Sequence, residues 1–307
     1  MGSYALRRLI GVVPTLLVII TVAFFMIRVA PGGPFDIERT LPPEIEANIK
    51  AAYDLDKPLV VQYIKYLGGV LTGDFGPSYK YKDFTVAELI GAGFPVSLKL
   101  GASAMLIALV LGVTLGTVAA LRQNSALDYA VMTVAMTGIA LPNFVIAPLL
   151  ALVFGIYLSL LPVAGWSDGG MADMVLPVTA MALPYIAYIA RLTRGSMIEV
   201  LRSNFIRTAR AKGLPEHRVV TKHALRAALL PVVSFLGPAT AGIITGSVVI
   251  EQIFQVPGIG RYFVQGALNR DYTLVMGVVI FYATLIMVLN LVVDLLYAVL
   301  DPRVRYK

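Results

Sequence analysis

Residues suited to covalent or metal chemistry are scarce in this sequence, and none is spaced for it. Cysteine is absent, which excludes disulfides, thiolate catalysis and cysteine-based metal sites and leaves the redox compartment open. The two histidines, His217 and His223, both fall in the most basic stretch of the chain. No G-x-x-x-x-G-K-[ST] phosphate loop occurs, so the chain does not bind ATP in that manner. H-E-x-x-H, G-x-S-x-G and catalytic clusters of acids are also missing. Asp294 is the clearest intramembrane charge, but its closeness to Asp301-Pro302 makes it a headgroup-level or bundle-facing acid. A proton relay would need partner acids or histidines deeper in the spans, and there are none. What the sequence does concentrate is positive charge: Arg191, Arg194, Arg202, Arg207, Arg210, Lys212, Arg218, Lys222 and Arg226. That is a chemistry of docking, to anionic headgroups or to a protein.

The elements that must carry this cluster are membrane spans. Of 307 residues, 58% are hydrophobic and 14% charged, and the mean hydropathy is +0.81. A soluble domain carries about 25% charged residues, so the chain is too apolar for a water-soluble globule. A bilayer core needs about 20 apolar residues per helix. The regions 9–29, 100–121, 129–160, 228–250 and 274–300 supply them, and 174–190, with Pro177 and Pro184, is a shorter sixth. Pro142 and Pro148 place a kink in 129–160. The first run exceeds a signal-peptide core and lacks an A-x-A-like cleavage site, which favours a retained signal-anchor helix. The fold class is thus an all-α integral membrane protein with six spans.

Charge orients the spans. With the N-terminus inside, the cytoplasmic side carries Arg7, Arg8, Arg122, the cluster above, and Arg303, Arg305 and Lys307. The opposing loops 161–173 and 251–273 contain only Arg261 and Arg270, a positive-inside asymmetry that puts both termini in the cytoplasm. Segment 31–98, with nine acids against six basic residues, is then external. It reads as an ordered cap: Thr85-Val-Ala-Glu88 is a capping box, with Phe84 and Leu89 at the staple positions. Short helices are expected after Pro43-Glu44 and over Pro58 to Leu71, and Gly73-Asp74-Phe75-Gly76 is a turn. The domain organisation is therefore residues 1–30 as tail and first span, 31–98 as external cap and 99–307 as core.

The cytoplasmic loop 191–227 is too long for a plain connection, since most run about 4–6 residues. Ser203-Asn204 are N-cap residues and Gly213 is a C′ residue, so FIRTARAK forms a helix of about two turns. Phe205 and Ala209 share one face with Thr208, and Arg207 and Arg210 another. Pro215-Glu216 restarts a helix that runs through Leu225 towards the span near Ala228. Basic loops bind lipid headgroups, whereas the small apolar face here suits a protein cleft; both readings stay open on these residues alone. Elsewhere, Glu251 and Arg28 at external helix ends are expected to face water, and Trp166 to join an interfacial aromatic belt. Gly112 and Gly116 suit close intramolecular helix packing, and Pro257-Gly258-Ile259-Gly260 a tight turn or re-entrant bend.

The run FIRTARAKGLPEHRVVTKHALRAALLP resembles the cytoplasmic loop of binding-protein-dependent ABC importer permeases of the dipeptide/oligopeptide branch. LRRLIGVVPTLLVIITVAFFMIRVAPGGPF, GDFGPS, FPVSLKLG, the E-x-x-F-x-x-PGIG segment at 251–260 and YAVLDPRVR resemble that branch too, so the likeness covers essentially the whole chain. RTLPPEIEANI and YKYKDF are most similar to the B-type permeases of bacterial oligopeptide uptake. The resemblance implies a cytoplasmic (inner) membrane subunit paired with a homologous second permease, two ATP-binding subunits and an external peptide-binding protein. ATP and Mg would be used by the partners and no cofactor by this chain; sister permeases for dipeptides, nickel or glutathione are the alternative. It also implies that Phe205, Ile206, Arg207, Thr208, Ala209, Arg210, Ala211, Lys212 and Gly213 couple to the ATPase. Where the wider family writes Glu-Ala-Ala, this chain has Arg207-Thr208-Ala209, so no ion-pairing glutamate carries over.

Overall fold

The computed structural model describes residues 2–29, 54–167, 169–245 and 247–300, with side chains described from residue 10 to residue 293. The helix expected after Pro43-Glu44, the tail basic residues, the Arg7 and Arg8 side chains and the Asp294 side chain lie outside the described residues. The helices are α1 Gly2–Val29, α2 Leu59–Leu71, α3 Val86–Leu121, α4 Ala126–Ala140 and α5 Asn143–Leu150, which continues as π-helix over Ala151–Tyr157. They are followed by α6 Met171–Leu201, α7 Asn204–Ala211, α8 Glu216–Arg218, a π-helical Val219–Ala224 and α9 Leu225–Ala228. The last four are α10 Leu230–Thr245, α11 Val248–Ile253, α12 Ile259–Leu268 and α13 Tyr272–Leu300.

Among the described residues, five stretches are long and apolar enough to cross a membrane: Ile10–Val29, Val86–Leu121, Met171–Leu201, Leu230–Ile253 and Tyr272–Val293. A sixth is reached if α4 and the α5 segment to Tyr157, bent by 105° from each other, count as one broken span. The kink expected in 129–160 is therefore a sharp corner, and it sits at one of the two prolines. Leu141, before Pro142, is driven out of the α region to φ −86°, ψ 122°, whereas Pro148 stays inside α5. The span expected at 174–190 is longer, 31 residues, and runs through Pro177, Pro184, Arg191 and Arg194. The first part of the anticipated loop 191–227, up to Leu201, is therefore the rigid end of that helix.

The chain divides into two compact units. One holds residues 98–256 and 288–307. In it Gly116 lies against α6 so closely that a Cβ would stand 2.4 Å from the Ala190 carbonyl oxygen, and one on Gly112 would stand 2.7 Å from Ile189 Cβ. The expected intramolecular G-x-x-x-G packing is what forms. The other unit holds residues 2–97 and 257–287. Its core gathers Val86, Leu89, Ile90, Ile259, Leu274 and Val278. The capping box closes as read: Thr85 N and Oγ1 both donate to Glu88 Oε2 at 2.8 Å, and Glu88 N donates to Thr85 Oγ1 at 3.3 Å. Of the staple pair only Leu89 is buried, Phe84 being 53% exposed.

The segment before α3 in this second unit is tied down by an acid absent from the expectations. Asp271, fully buried, accepts Ser78 Oγ at 2.5 Å, Tyr79 N at 3.0 Å and Lys80 N at 3.1 Å. Its other oxygen accepts Leu274 N at 3.1 Å, the N-cap bond of α13. The PGIG motif starts a helix instead of a plain turn: Gly258 caps α12, and Ile259 N donates to the buried Ser97 Oγ at 2.9 Å. A Cβ on Gly93, just before the FPVSLKLG segment, would stand 2.9 Å from Ile259 N, so the chain there packs tightly on the PGIG motif.

Candidate functional site

The basic cluster is built around α7, and its eight residues are held at both ends. Ser203 is the N-cap by backbone, its carbonyl accepting Arg207 N at 3.2 Å, while its hydroxyl turns back to Val200 O at 2.6 Å. At the C-terminus Gly213 takes φ +74° and donates to Arg210 O at 2.9 Å, and Leu214 N donates to Ala209 O at 3.4 Å. That pair of bonds is the Schellman stop, which needs a left-handed residue and so selects glycine. Leu214 folds onto the apolar cluster that α7 joins.

That cluster corrects the face expected for α7. Ile206 is fully buried and Ala209 is 7% exposed, packed with Ala120, Met197, Val219, Val220, Ala224 and Ala228 of the same unit. Phe205, assigned to Ala209's face, is 49% exposed. Spacing alone would group 205 with 209, about 40° apart around the helix; the flanking helices that pack on Ile206 turn that side inward instead. Burying Ile206 contributes about 1.5–3 kcal/mol, so the helix is fixed to its own chain. Arg207, Thr208, Ala211, Lys212 and Gly213 are exposed with Phe205. Arg210 does not share Arg207's freedom. Its Nη2 and Nε bond Glu216 Oε1 and Oε2 at 2.6 and 3.1 Å, which holds the Glu216 carboxyl below its usual range.

A second pair anchors the arm that carries α7. Asp128, 1% exposed, accepts Arg194 Nε at 2.5 Å and Nη2 at 2.6 Å, and also Asn124 N at 2.9 Å. Sequence reasoning counted Arg194 as one more positive charge; its partner is 66 residues away, and only the Ser125 cap before Asp128 marked the place. Two other expectations fail on burial. Glu251, expected to face water, is fully buried, accepting Ser247 Oγ at 2.5 Å. The chain closes over its helix end, where Gly165 N donates to Phe254 O at 2.8 Å. Arg28 is half-buried, its Cζ 3.5 Å from the Phe24 ring centroid and its Nε donating to Gln62 Oε1 at 3.1 Å. Trp166 is partly buried beside Lys99 Nζ, 5.8 Å from its ring centroid. Among the described residues no three His, Cys, Asp or Glu side chains are grouped to hold a metal.

Several apolar helices long enough to span a membrane, with a short, firmly seated helix of basic outer face, define a multi-pass membrane protein. Two family descriptions match the chain: "Binding-protein-dependent transport system inner membrane component" over residues 112–306 and "Binding-prot-dependent transport system membrane comp, N-term" over residues 1–100. The chain belongs to this family. It is 58% identical over 306 residues to the oligopeptide transport system permease protein OppB of Salmonella typhimurium, covering 100% of both chains. The OppB of Escherichia coli K12 is 57% identical, again over 100% of each. The dipeptide transport system permease protein DppB of Bacillus subtilis is 47% identical over 99% of this chain and 98% of its own. A chain of the MetNI methionine ABC transporter in inward facing conformations superposes with a TM-score of 0.57 at 15% identity, covering 70% of this chain and 97% of its own. That likeness concerns the fold.

Proposed function

We propose that this chain is the B-type permease subunit of an ATP-driven importer that carries oligopeptides inward, with Phe205–Gly213 as the segment that docks into the ATPase. Full-length identity of 58% to an oligopeptide permease supports the cargo class over the dipeptide reading, where the relative is 47% identical. ATP and Mg are used by two separate ATP-binding subunits; a homologous second permease completes the path, and an external peptide-binding protein supplies the cargo. Both termini and α7 lie on the cytoplasmic side, residues 31–98 form the external cap, and 99–307 are the permease core.

One observation carries the docking role: α7 turns Ile206 and Ala209 into its own chain and Phe205 outward. A headgroup-binding helix would bury its large apolar side chains in lipid; here one aromatic stands out from a basic, polar face. Seated on α6 and on Val219, Val220 and Ala224, α7 transmits force to its neighbours instead of absorbing it. ATP binding then shifts the permease between inward-open and outward-open states through contacts that differ between the two.

Phe205→Ala tests this. It is expected to leave insertion and thermal stability unchanged while lowering co-purification of the ATPase at least several-fold and uncoupling ATP hydrolysis from uptake. Wild-type co-purification together with wild-type coupled uptake would refute docking at this face. Uptake of labelled di-, tri- and pentapeptides by the assembled importer tests the cargo; uptake confined to a dipeptide or a metal would move the chain to a sister system.

A further inference from the structure

Among the described residues, no acidic side chain is paired with Arg28. It occupies the last turn of α1, stacked on Phe24, with Nε on Gln62 Oε1 at 3.1 Å and Nη1 reaching Phe24 O at 3.5 Å and Met276 Sδ at 3.8 Å. All these partners are neutral. Among the described residues the ion pairs are Lys57 and Lys65 with Asp54, Arg194 with Asp128 and Arg210 with Glu216, and none includes Arg28. Partial burial of a charge is costly unless something opposite meets it.

Arg28 lines a cavity of about 200 Å³ together with Gln62, Tyr66, Phe75 and Tyr79. Of the other charges on this cavity, Lys65 is paired with Asp54, while Asp74 accepts Gly76 N at 2.9 Å within its own turn and keeps its negative charge. Tyr66 also lines the cavity, and its hydroxyl is buried with no hydrogen-bond partner among the described residues, which in a native structure calls for an explanation. Burial pushes this phenol up, so it remains protonated and a donor. Pockets for drug-sized ligands run about 300–1,000 Å³; this one takes the end of a chain and not a whole peptide.

We propose that this cavity is a carboxylate subsite, in which Arg28 and the Tyr66 hydroxyl receive the free α-carboxylate of the peptide cargo. The inference rests on the oligopeptide reading above. The Arg28 fork bonds the carboxylate, and Phe75 and Tyr79 accept the last side chain by surface contact, which admits many residues. A recessed, small cavity favours a chain end over a folded partner's surface.

The experiment uses the complete importer with both permeases, the ATPases and the binding protein in proteoliposomes. Uptake of one pentapeptide is compared with that of its C-terminal amide. Using one batch of binding protein cancels its own preference between the two. Arg28→Gln is expected to lower free-acid uptake about tenfold relative to amide uptake, as loss of a charge-assisted bond implies. Tyr66→Phe, which removes one hydroxyl, is expected to shift the same ratio about threefold, and serves where Arg28→Gln fails to assemble. An unchanged acid-to-amide ratio in both variants, whether total uptake falls or not, overturns the subsite and leaves Arg28 a packing, lipid or docking residue. An unchanged ratio in Tyr66→Phe, where it is the only variant to assemble, overturns it as well. Failure of the wild-type complex to take up either peptide would instead overturn the oligopeptide reading on which the subsite depends.

Discussion

At the scale of single residues, two charged pairs differ in what they contribute. Asp128 is 1% exposed and Arg194 26% exposed by side chain, so removing one partner strands a charge in low dielectric. Breaking a fully buried pair costs about 3–5 kcal/mol, and the partial exposure of Arg194 reduces this to about 2–3 kcal/mol. Arg194→Met is therefore expected to lower the melting temperature in detergent more than Asp128→Asn, and the double variant to recover part of the loss. Additive losses would show that the pair is not coupled. The Arg210–Glu216 pair is exposed, 43% and 55%, and acts locally. Its hydrogen bond from Arg210 depresses the Glu216 carboxyl, so the pair supports the loop above the ordinary carboxylate range and that support is lost as pH falls through the depressed value. Amide protection factors of residues 209–214 are expected to be flat from pH 8 to 6 (about two units above the ordinary carboxylate value) and to fall in acid. Glu216→Gln should abolish that acid limb; if it persists, the pair is not its cause.

Elements were legible where their signals are local. The Thr85–Glu88 box, the Gly213 stop and the Pro142 corner each depend on neighbours within four residues, and each forms. The burial of Arg28 and Glu251 and the inward turn of Ile206 depend on what packs from elsewhere in the chain: Gln62 lies 34 residues from Arg28. An eight-residue helix with apolar residues at 205, 206 and 209 offers two faces, and only the flanking helices decide between them. The same logic makes Ala209 a poor probe of docking, since Ala209→Asp would bury a carboxylate in the apolar cluster and unseat the helix. Close helix approach gives the element-scale test. Gly116→Ala pushes a methyl to 2.4 Å from the Ala190 carbonyl oxygen, a backbone atom that cannot rotate away, whereas Gly11→Ala meets nothing within 4 Å. Gly116→Ala is expected to destabilise by about 1–3 kcal/mol, and Gly11→Ala to be silent in the same melt. Equal melts would mean that α3 and α6 do not pack at this distance.

For the whole molecule, the orientation of the spans decides whether α7 can meet an ATPase at all, and the chain's lack of cysteine makes it directly measurable. Segment 191–227 carries nine of the basic residues, while loops 161–173 and 251–273 carry two. Arg194 pairs with Asp128 and Arg210 with Glu216 in the folded chain, but the bias counts Lys and Arg and not net charge, so all nine still count. The asymmetry therefore survives the ion pairs. Single cysteines at Lys212 and at Lys57, both exposed and both outside the apolar spans, read the two sides. Lys212→Cys is expected to react with an impermeant maleimide in inverted vesicles and to be protected in spheroplasts. Lys57→Cys is expected to show the opposite pattern, since one crossing by α1 puts the segment after it across the bilayer from the N-terminus. Added ATPase should then shield Lys212→Cys and leave Lys57→Cys reactive in detergent. Labelling of Lys212→Cys from outside intact spheroplasts would reverse the topology, and with it the placing of α7 beneath the membrane and of the Arg28 cavity on the side where cargo arrives.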